Sequence, residues 1–168
     1  MKKLGIGKWL KSIVIITGIM GLIFLFIIVP WLGKDLVTSN PELSYMYLPC
    51  YIFIFITAIP FYIALFCGWN IFDEISKDNA FCIKNAKSLS LISKLAVSEC
   101  VLYIIASIAL VILNLLHLEI FILIVFIIFI GLAIAILSGA LSYLVEKASN
   151  IKEENDLTIW GGKYGYYS

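Results

Sequence analysis

The chain has 168 residues and a formal net charge of +1, and 62% of its residues are apolar while 14% are charged. Soluble domains average roughly 45–50% apolar residues, so this composition excludes an ordinary soluble globule. The near-neutral charge gives no sign of the basic surface by which proteins bind nucleic acids. We therefore predict an integral membrane protein that makes no direct contact with nucleic acid.

Four apolar runs follow one another along the chain. A helix needs about 20 apolar residues to cross roughly 30 Å of hydrocarbon. The predicted spans are residues 13–32, 49–72, 96–116 and 120–145. They leave a loop at 73–95 and a tail at 146–168, with little room for a separate domain. The predicted fold is all-α, one membrane domain over 1–168, with four transmembrane helices in an antiparallel bundle.

The twelve basic residues are all lysines, and all but Lys34 occur in alternate gaps between the spans. Those eleven are Lys2, Lys3, Lys8, Lys11, Lys77, Lys84, Lys87, Lys94, Lys147, Lys152 and Lys163. Lysine-rich loops stay on the cytoplasmic side during insertion. The pattern predicts a multi-pass protein of the cell (plasma) membrane with the N- and C-termini and the loop 73–95 in the cytoplasm.

Patterned polar sequence is concentrated on this predicted inner face. Asp78 and Asn79 are residue types that start helices, and an apolar stripe at helical spacing follows them, which fits a helix at the lipid headgroups. The candidate residues for docking a soluble partner are Phe81, Asn85, Lys87, Glu153, Glu154, Asn155 and Asp156. A basic interfacial anchor that only sets the topology is the alternative interpretation.

Glu99 is the acidic residue nearest to the middle of any span, about one turn inside the predicted cytoplasmic end of the third. A carboxylate within the membrane is a candidate functional site, here for a proton or a cation. The alternative is an interfacial carboxylate that reaches water or Lys94. Pro60 interrupts the second span, and Asn114 lies near the end of the third.

A row of small residues, Gly131, Ala135 and Gly139, recurs every four positions in the fourth span. Small residues at this spacing let helix backbones approach closely in membranes. The row therefore predicts a helix contact, either within the bundle or between two copies in a homo-oligomer.

No catalytic motif is present: the chain has no H-E-x-x-H, G-x-S-x-G, P-loop or C-x-x-C sequence. His117 is the single histidine, and with one nearby carboxylate it lacks the ligands that a metal site needs. We therefore expect neither an enzyme nor a bound metal or cofactor.

The segment 79–89, NAFCIKNAKSL, following 68–75, resembles a family of bacterial membrane proteins filed as domain of unknown function 2975. The acidic segment 153–159, EENDLTI, is similar to the end of that family. With the four-span layout, the resemblance covers nearly the whole chain. It implies no reaction, and it implies a membrane partner for a helix-turn-helix transcriptional regulator.

Three functional hypotheses follow from these patterns. The first is a non-enzymatic membrane partner or sensor for a cytoplasmic regulator, acting through the inner loop and the tail. The second is a small transporter or channel subunit, suggested by Pro60, Glu99 and Asn114 in or near the spans. The third is a self-protection (immunity-type) membrane protein, which fits the size and the topology.

Overall fold

The structure, a computed structural model, describes residues 3–39, 41, 44–115 and 118–164, so His117 lies outside the described residues. The helices are α1 (Lys3–Ile23), α2 (Val29–Ser39), α3 (Ser44–Ser76), α4 (Ile83–Ile112) and α5 (Leu118–Tyr164). A π-helical segment, Phe24–Ile28, joins α1 to α2 without a break, and we call these three elements together the first helix. Within the described residues, four helical stretches are long and apolar enough to cross a membrane.

The helices extend beyond the predicted spans at most of their ends. The first helix continues to Ser39 and α3 begins at Ser44, so Pro49 lies inside a helix rather than at its start. The predicted inner loop 73–95 shrinks to residues 77–82. Apolar runs show only where hydrocarbon surrounds the chain, and helices continue into the polar region because their backbone bonds are made internally.

The prediction that Asp78 and Asn79 start a helix is wrong, because they terminate α3. Asp78 adopts a left-handed conformation with φ 59°. Its N–H donates to the Ile75 carbonyl, and the Asn79 N–H donates to the Glu74 carbonyl over 3.0 Å. This pattern satisfies the free carbonyls at a helix end, and Asp and Asn tolerate the left-handed residue better than most.

Asn114 ends α4 in the same way, with φ 54°. Its N–H donates to the Val111 carbonyl, and the Leu115 N–H donates to the Leu110 carbonyl. Asn114 therefore has a structural role at a helix terminus, and it no longer supports a transport pathway.

The closest helix pair is α4 and α5, and three hydrogen bonds cross it. Ser142 Oγ donates to the Ala86 carbonyl over 2.7 Å. Ser93 Oγ donates to the Ala135 carbonyl over 2.7 Å, and Cys100 Sγ donates weakly to the Ile128 carbonyl at 3.7 Å. Successive contacts are seven residues apart on both helices, and residue numbers rise along α4 as they fall along α5.

The predicted row of small residues lies against α4. Ala135 is buried, and a Cβ added at Gly131 would come within 2.7 Å of Cys100 Sγ. At Gly139 an added Cβ would lie 3.2 Å from Ser93 Oγ. The row thus packs within the chain, which is the first of the two contacts that the sequence allowed.

The first helix packs on α3. Tyr62 donates its hydroxyl hydrogen to the Gly18 carbonyl over 3.0 Å, and Phe26 meets Phe55 edge to face. The helix pairs with close contacts are α4 with α5, α3 with α4, and the first helix with α3. The four long helices are therefore packed mainly between neighbours in the chain.

Most large apolar side chains point outward. Trp9 is 77% exposed, Phe129 68% and Ile136 70%, whereas the few buried residues are mostly small. Water-soluble proteins rarely expose such extensive apolar surface. The outward surface is the one that lipid would contact, as the composition predicted.

Replacing Gly131 with leucine should destabilise the protein by about 2 kcal/mol, because the new side chain overpacks the contact with Cys100. The measurement is the unfolding midpoint in detergent, and the control is Gly68→Leu. An added Cβ at Gly68 meets no atom within 4 Å. Equal midpoints for the two variants would contradict the close α4–α5 contact.

Candidate functional sites at the helix ends and within the bundle

A group of opposite charges ties three helices together at one end of the molecule. Asp73, near the end of α3, accepts hydrogen bonds from Lys11 of the first helix and from Lys77, the latter over 2.6 Å. Glu74 accepts a bond from Lys84 of α4 over 2.8 Å. We call these five residues the inner charge cluster, because they all lie at the end that the lysine pattern assigns to the cytoplasm.

Two further contacts shape this cluster. The Lys11 ammonium lies 5.1 Å from the centre of the Trp69 ring, a distance at which a cation is attracted to an aromatic face. The hydrogen bond from Lys77 to Asp73, together with the negative charge of that carboxylate, raises the pKa of Lys77. The aromatic face and the two carboxylates therefore hold the three lysine side chains in place at this end of the bundle.

The turn between α3 and α4 buries one of the predicted docking residues. Asn85 is only 2% exposed, and its Nδ2 donates to the Ala80 carbonyl over 2.9 Å. Its Oδ1 is buried and has no hydrogen-bond partner in the structure. Asn85 therefore organises the turn from the inside and does not lie on a surface that a partner could contact.

The other predicted docking residues are exposed. Phe81 is 59% exposed at the tip of the turn, and Lys87 follows on the surface of α4. On α5, Glu153, Glu154 and Asn155 are exposed, whereas the side chain of Asp156 lies outside the described part of the chain. The Ser142–Ala86 bond places both groups at the same end of the molecule.

A cavity of about 630 Å³ lies between the helices near the middle of their length. All four long helices line it, and its wall includes Phe24 of the π-helical segment, Pro60 of α3 and Gly131 of α5. A π-helical turn and a proline both interrupt the regular backbone hydrogen bonds of a helix. The cavity therefore lies where two of its helices depart from regular geometry.

Glu99 lines this cavity. Its Oε1 is buried and accepts no hydrogen bond in the structure. Lys94 is exposed, and at 3.6 residues per turn it lies about 140° around α4 from Glu99. The two side chains thus lie on different faces of α4. They are not paired with each other, which was one of the alternatives that the sequence left open.

The remaining polar groups around the cavity are few. Thr57 donates its hydroxyl hydrogen to the Ile54 carbonyl over 3.0 Å. Cys100 Sγ donates a weak hydrogen bond to the Ile128 carbonyl. Thr57 and Cys100 thus have partners within the protein, whereas the buried Glu99 Oε1 has none. Nowhere in the described chain do three metal-ligating side chains cluster.

Sequence reasoning singled out Glu99 but missed the inner charge cluster and the cavity. Part of the signal for the cluster was available, because Lys11 and Asp73 lie just beyond predicted apolar runs on the same side, and Lys84 lies in the loop between two of them. The cavity had no comparable signal. Its volume depends on how the helices pack against one another, and this packing cannot be predicted from any single apolar run.

These features define an all-helical membrane protein with four long apolar helices and no recognisable catalytic motif. The family model described as "Protein of unknown function (DUF2975)" matches residues 31–159, and the chain belongs to that family. It is also 28% identical over 163 residues to the Uncharacterized membrane protein YoaS of Bacillus subtilis (strain 168), covering 90% of this chain and 96% of that protein. No solved structure matches the chain.

Replacing Lys11 with alanine should lower the unfolding midpoint in detergent, because it removes the ion pair with Asp73 and the contact with Trp69. The loss should shrink at high salt, since exposed charges are screened. Lys8→Ala, at an exposed position one turn earlier, is the matched control. A Lys11 effect no larger than that of Lys8 would show that the cluster does not tie the helices together.

Proposed function

We propose that this chain is a non-enzymatic membrane protein whose cytoplasmic face binds a soluble cytoplasmic protein. One observation carries the proposal: α5 is a single helix of 47 residues. At 1.5 Å per residue it is about 70 Å long, more than twice the roughly 30 Å of hydrocarbon that it has to cross. The excess is at the C-terminal end, where α5 continues beyond 145 and residues 150–155 are exposed.

The proposal includes a topology. We infer an antiparallel arrangement of the four helices in the plasma membrane, with both termini in the cytoplasm. The opposite numbering of contacts along α4 and α5 supports the antiparallel arrangement. The lysine distribution supports the orientation, as does the inner charge cluster, which joins lysines from two of the three predicted cytoplasmic segments, the N-terminal segment and the loop 73–95.

The proposed binding surface combines Phe81 and Lys87 near the turn with Glu153, Glu154 and Asn155 on the exposed C-terminal part of α5. An exposed aromatic side chain among charged residues is the composition expected where a partner binds. Ser149 is still buried, whereas residues 150–155 of α5 are exposed, so a soluble partner can reach this stretch. The family resemblance implies a transcriptional regulator as the class of partner.

The topology predicts where introduced cysteines can be labelled in intact cells. In a background without the native cysteines, a cysteine at Lys34 should react with a membrane-impermeant maleimide. A cysteine at Asn155 should react only after the cells are opened. Labelling of Asn155→Cys in intact cells would contradict the cytoplasmic tail, and labelling at neither site would call for another outer position such as Asp35.

The partner proposal predicts a common crosslinked protein. A photo-reactive amino acid at Phe81 and another at Asn155 should each capture the same soluble protein in living cells, whereas one at Lys34 should not. Reversing the charges with Glu153→Lys and Glu154→Lys should lower the yield at least fivefold, because it changes the exposed acidic group. Asp35→Lys, at the other end of the molecule, is the control.

Mass spectrometry of the adducts decides between the outcomes. The same soluble protein at both inner positions, lost on charge reversal, supports the proposal. Adducts that contain only a second copy of this chain, or adducts that are equally abundant from Lys34, would overturn it.

A further inference from the structure

We propose that the cavity beside Glu99 binds an organic cation with an apolar body, which enters from the membrane. The volume of about 630 Å³ falls within the range of roughly 300–1,000 Å³ that is typical of small-molecule sites. The inference concerns a different part of the molecule from the proposed docking surface. It requires neither a soluble partner nor transport, so either proposal can fail without the other.

The charge of the ligand follows from the cavity wall. Among the described residues, the lining is mostly apolar, with Glu99 as its one carboxylate and with no lysine or histidine. A carboxylate oxygen buried among apolar groups without a hydrogen bond is costly, and Glu99 Oε1 is such an atom. An ammonium group or another organic cation supplies the opposite charge, which the protein itself does not place there.

The apolar body of the ligand follows from the rest of the wall. Phe24, Phe61 and Tyr103 contribute aromatic rings, beside aliphatic side chains such as Ile54 and Ile134. Aromatic faces attract organic cations, and the attraction is stronger when the cation has lost its water. A small hydrated metal ion does not fit this wall, because it would need several oxygen ligands and Glu99 is the single carboxylate.

The route into the cavity follows from how the helices pack. The first helix and α5 both line the cavity but are not among the closely packed helix pairs. Four side chains line the cavity and are also exposed: Met20 and Phe24 on the first helix, and Ile130 and Ile134 on α5. The opening between them faces the apolar surroundings, so a molecule that partitions into the bilayer can enter sideways.

The test measures binding of radiolabelled tetraphenylphosphonium to the purified full-length protein in lipid nanodiscs by equilibrium dialysis. Glu99→Gln should weaken binding at least tenfold, because it removes the negative charge and keeps the shape. Glu146→Gln, which removes an exposed carboxylate on α5, should bind like the wild type. The neutral analogue tetraphenylmethane should compete poorly with the cation.

A second variant covers the possibility that Glu99→Gln does not fold. Ala64→Phe keeps the charge but introduces a ring into the cavity wall, and it should also weaken binding at least tenfold. Size-exclusion profiles and unfolding midpoints show which variants are folded. Wild-type affinity in a folded Glu99→Gln or Ala64→Phe protein overturns the proposal, as does equal competition by the neutral analogue.

Discussion

The close approach of α4 to α5 is the contact on which the rest of the structure depends. In lipid there is no hydrophobic force that drives one apolar helix onto another, so helices associate through close packing and hydrogen bonds. Here three pairs of residues meet at seven-residue intervals: Ala86 of α4 with Ser142 of α5, Ser93 with Ala135, and Cys100 with Ile128. A seven-residue period keeps the same faces together along a left-handed helix pair. Each donor is a small side chain and each acceptor is a backbone carbonyl, so the bonds form only where the two backbones lie close together.

This contact determines the position of both candidate sites. It sets the orientation of α5, and therefore the position of the exposed C-terminal part of that helix. It also sets the rotation of α4. Cys100 faces α5, and Glu99, one residue earlier and about 100° around the helix, faces the cavity instead. The first helix, by contrast, packs on α3 through the Tyr62–Gly18 bond and aromatic contacts. The cavity therefore lies between the hydrogen-bonded pair of α4 and α5 and the first helix, which has no close packing with α5.

The sequence predicted the membrane class, the four spans and the small-residue row, because each of these is a property of one continuous segment. It predicted the helix ends poorly. Asp78, Asn79 and Asn114 are residues that can begin or end a helix, and only the hydrogen bonds at Glu74, Ile75 and Val111 decide which. The burial of Asn85 was missed for a similar reason, since an amide near a lysine-rich turn is usually on the surface, and here it is buried and donates to the Ala80 carbonyl. The seven-residue repeat of Ala86, Ser93 and Cys100 was visible, but its meaning required the matching positions on α5.

A purely structural role for Glu99 is difficult to reconcile with its surroundings. Buried polar groups in a protein are normally hydrogen-bonded, and within a membrane the cost of leaving one unsatisfied is larger. Two neighbouring polar side chains follow the rule: Cys100 is bonded to α5 and Thr57 to its own helix. An aliphatic residue at position 99 would fill the cavity wall without the cost of burying a carboxylate. A carboxyl group whose buried Oε1 has no hydrogen-bond partner, and which lines a cavity beside exposed apolar side chains, is better explained by something that enters the cavity.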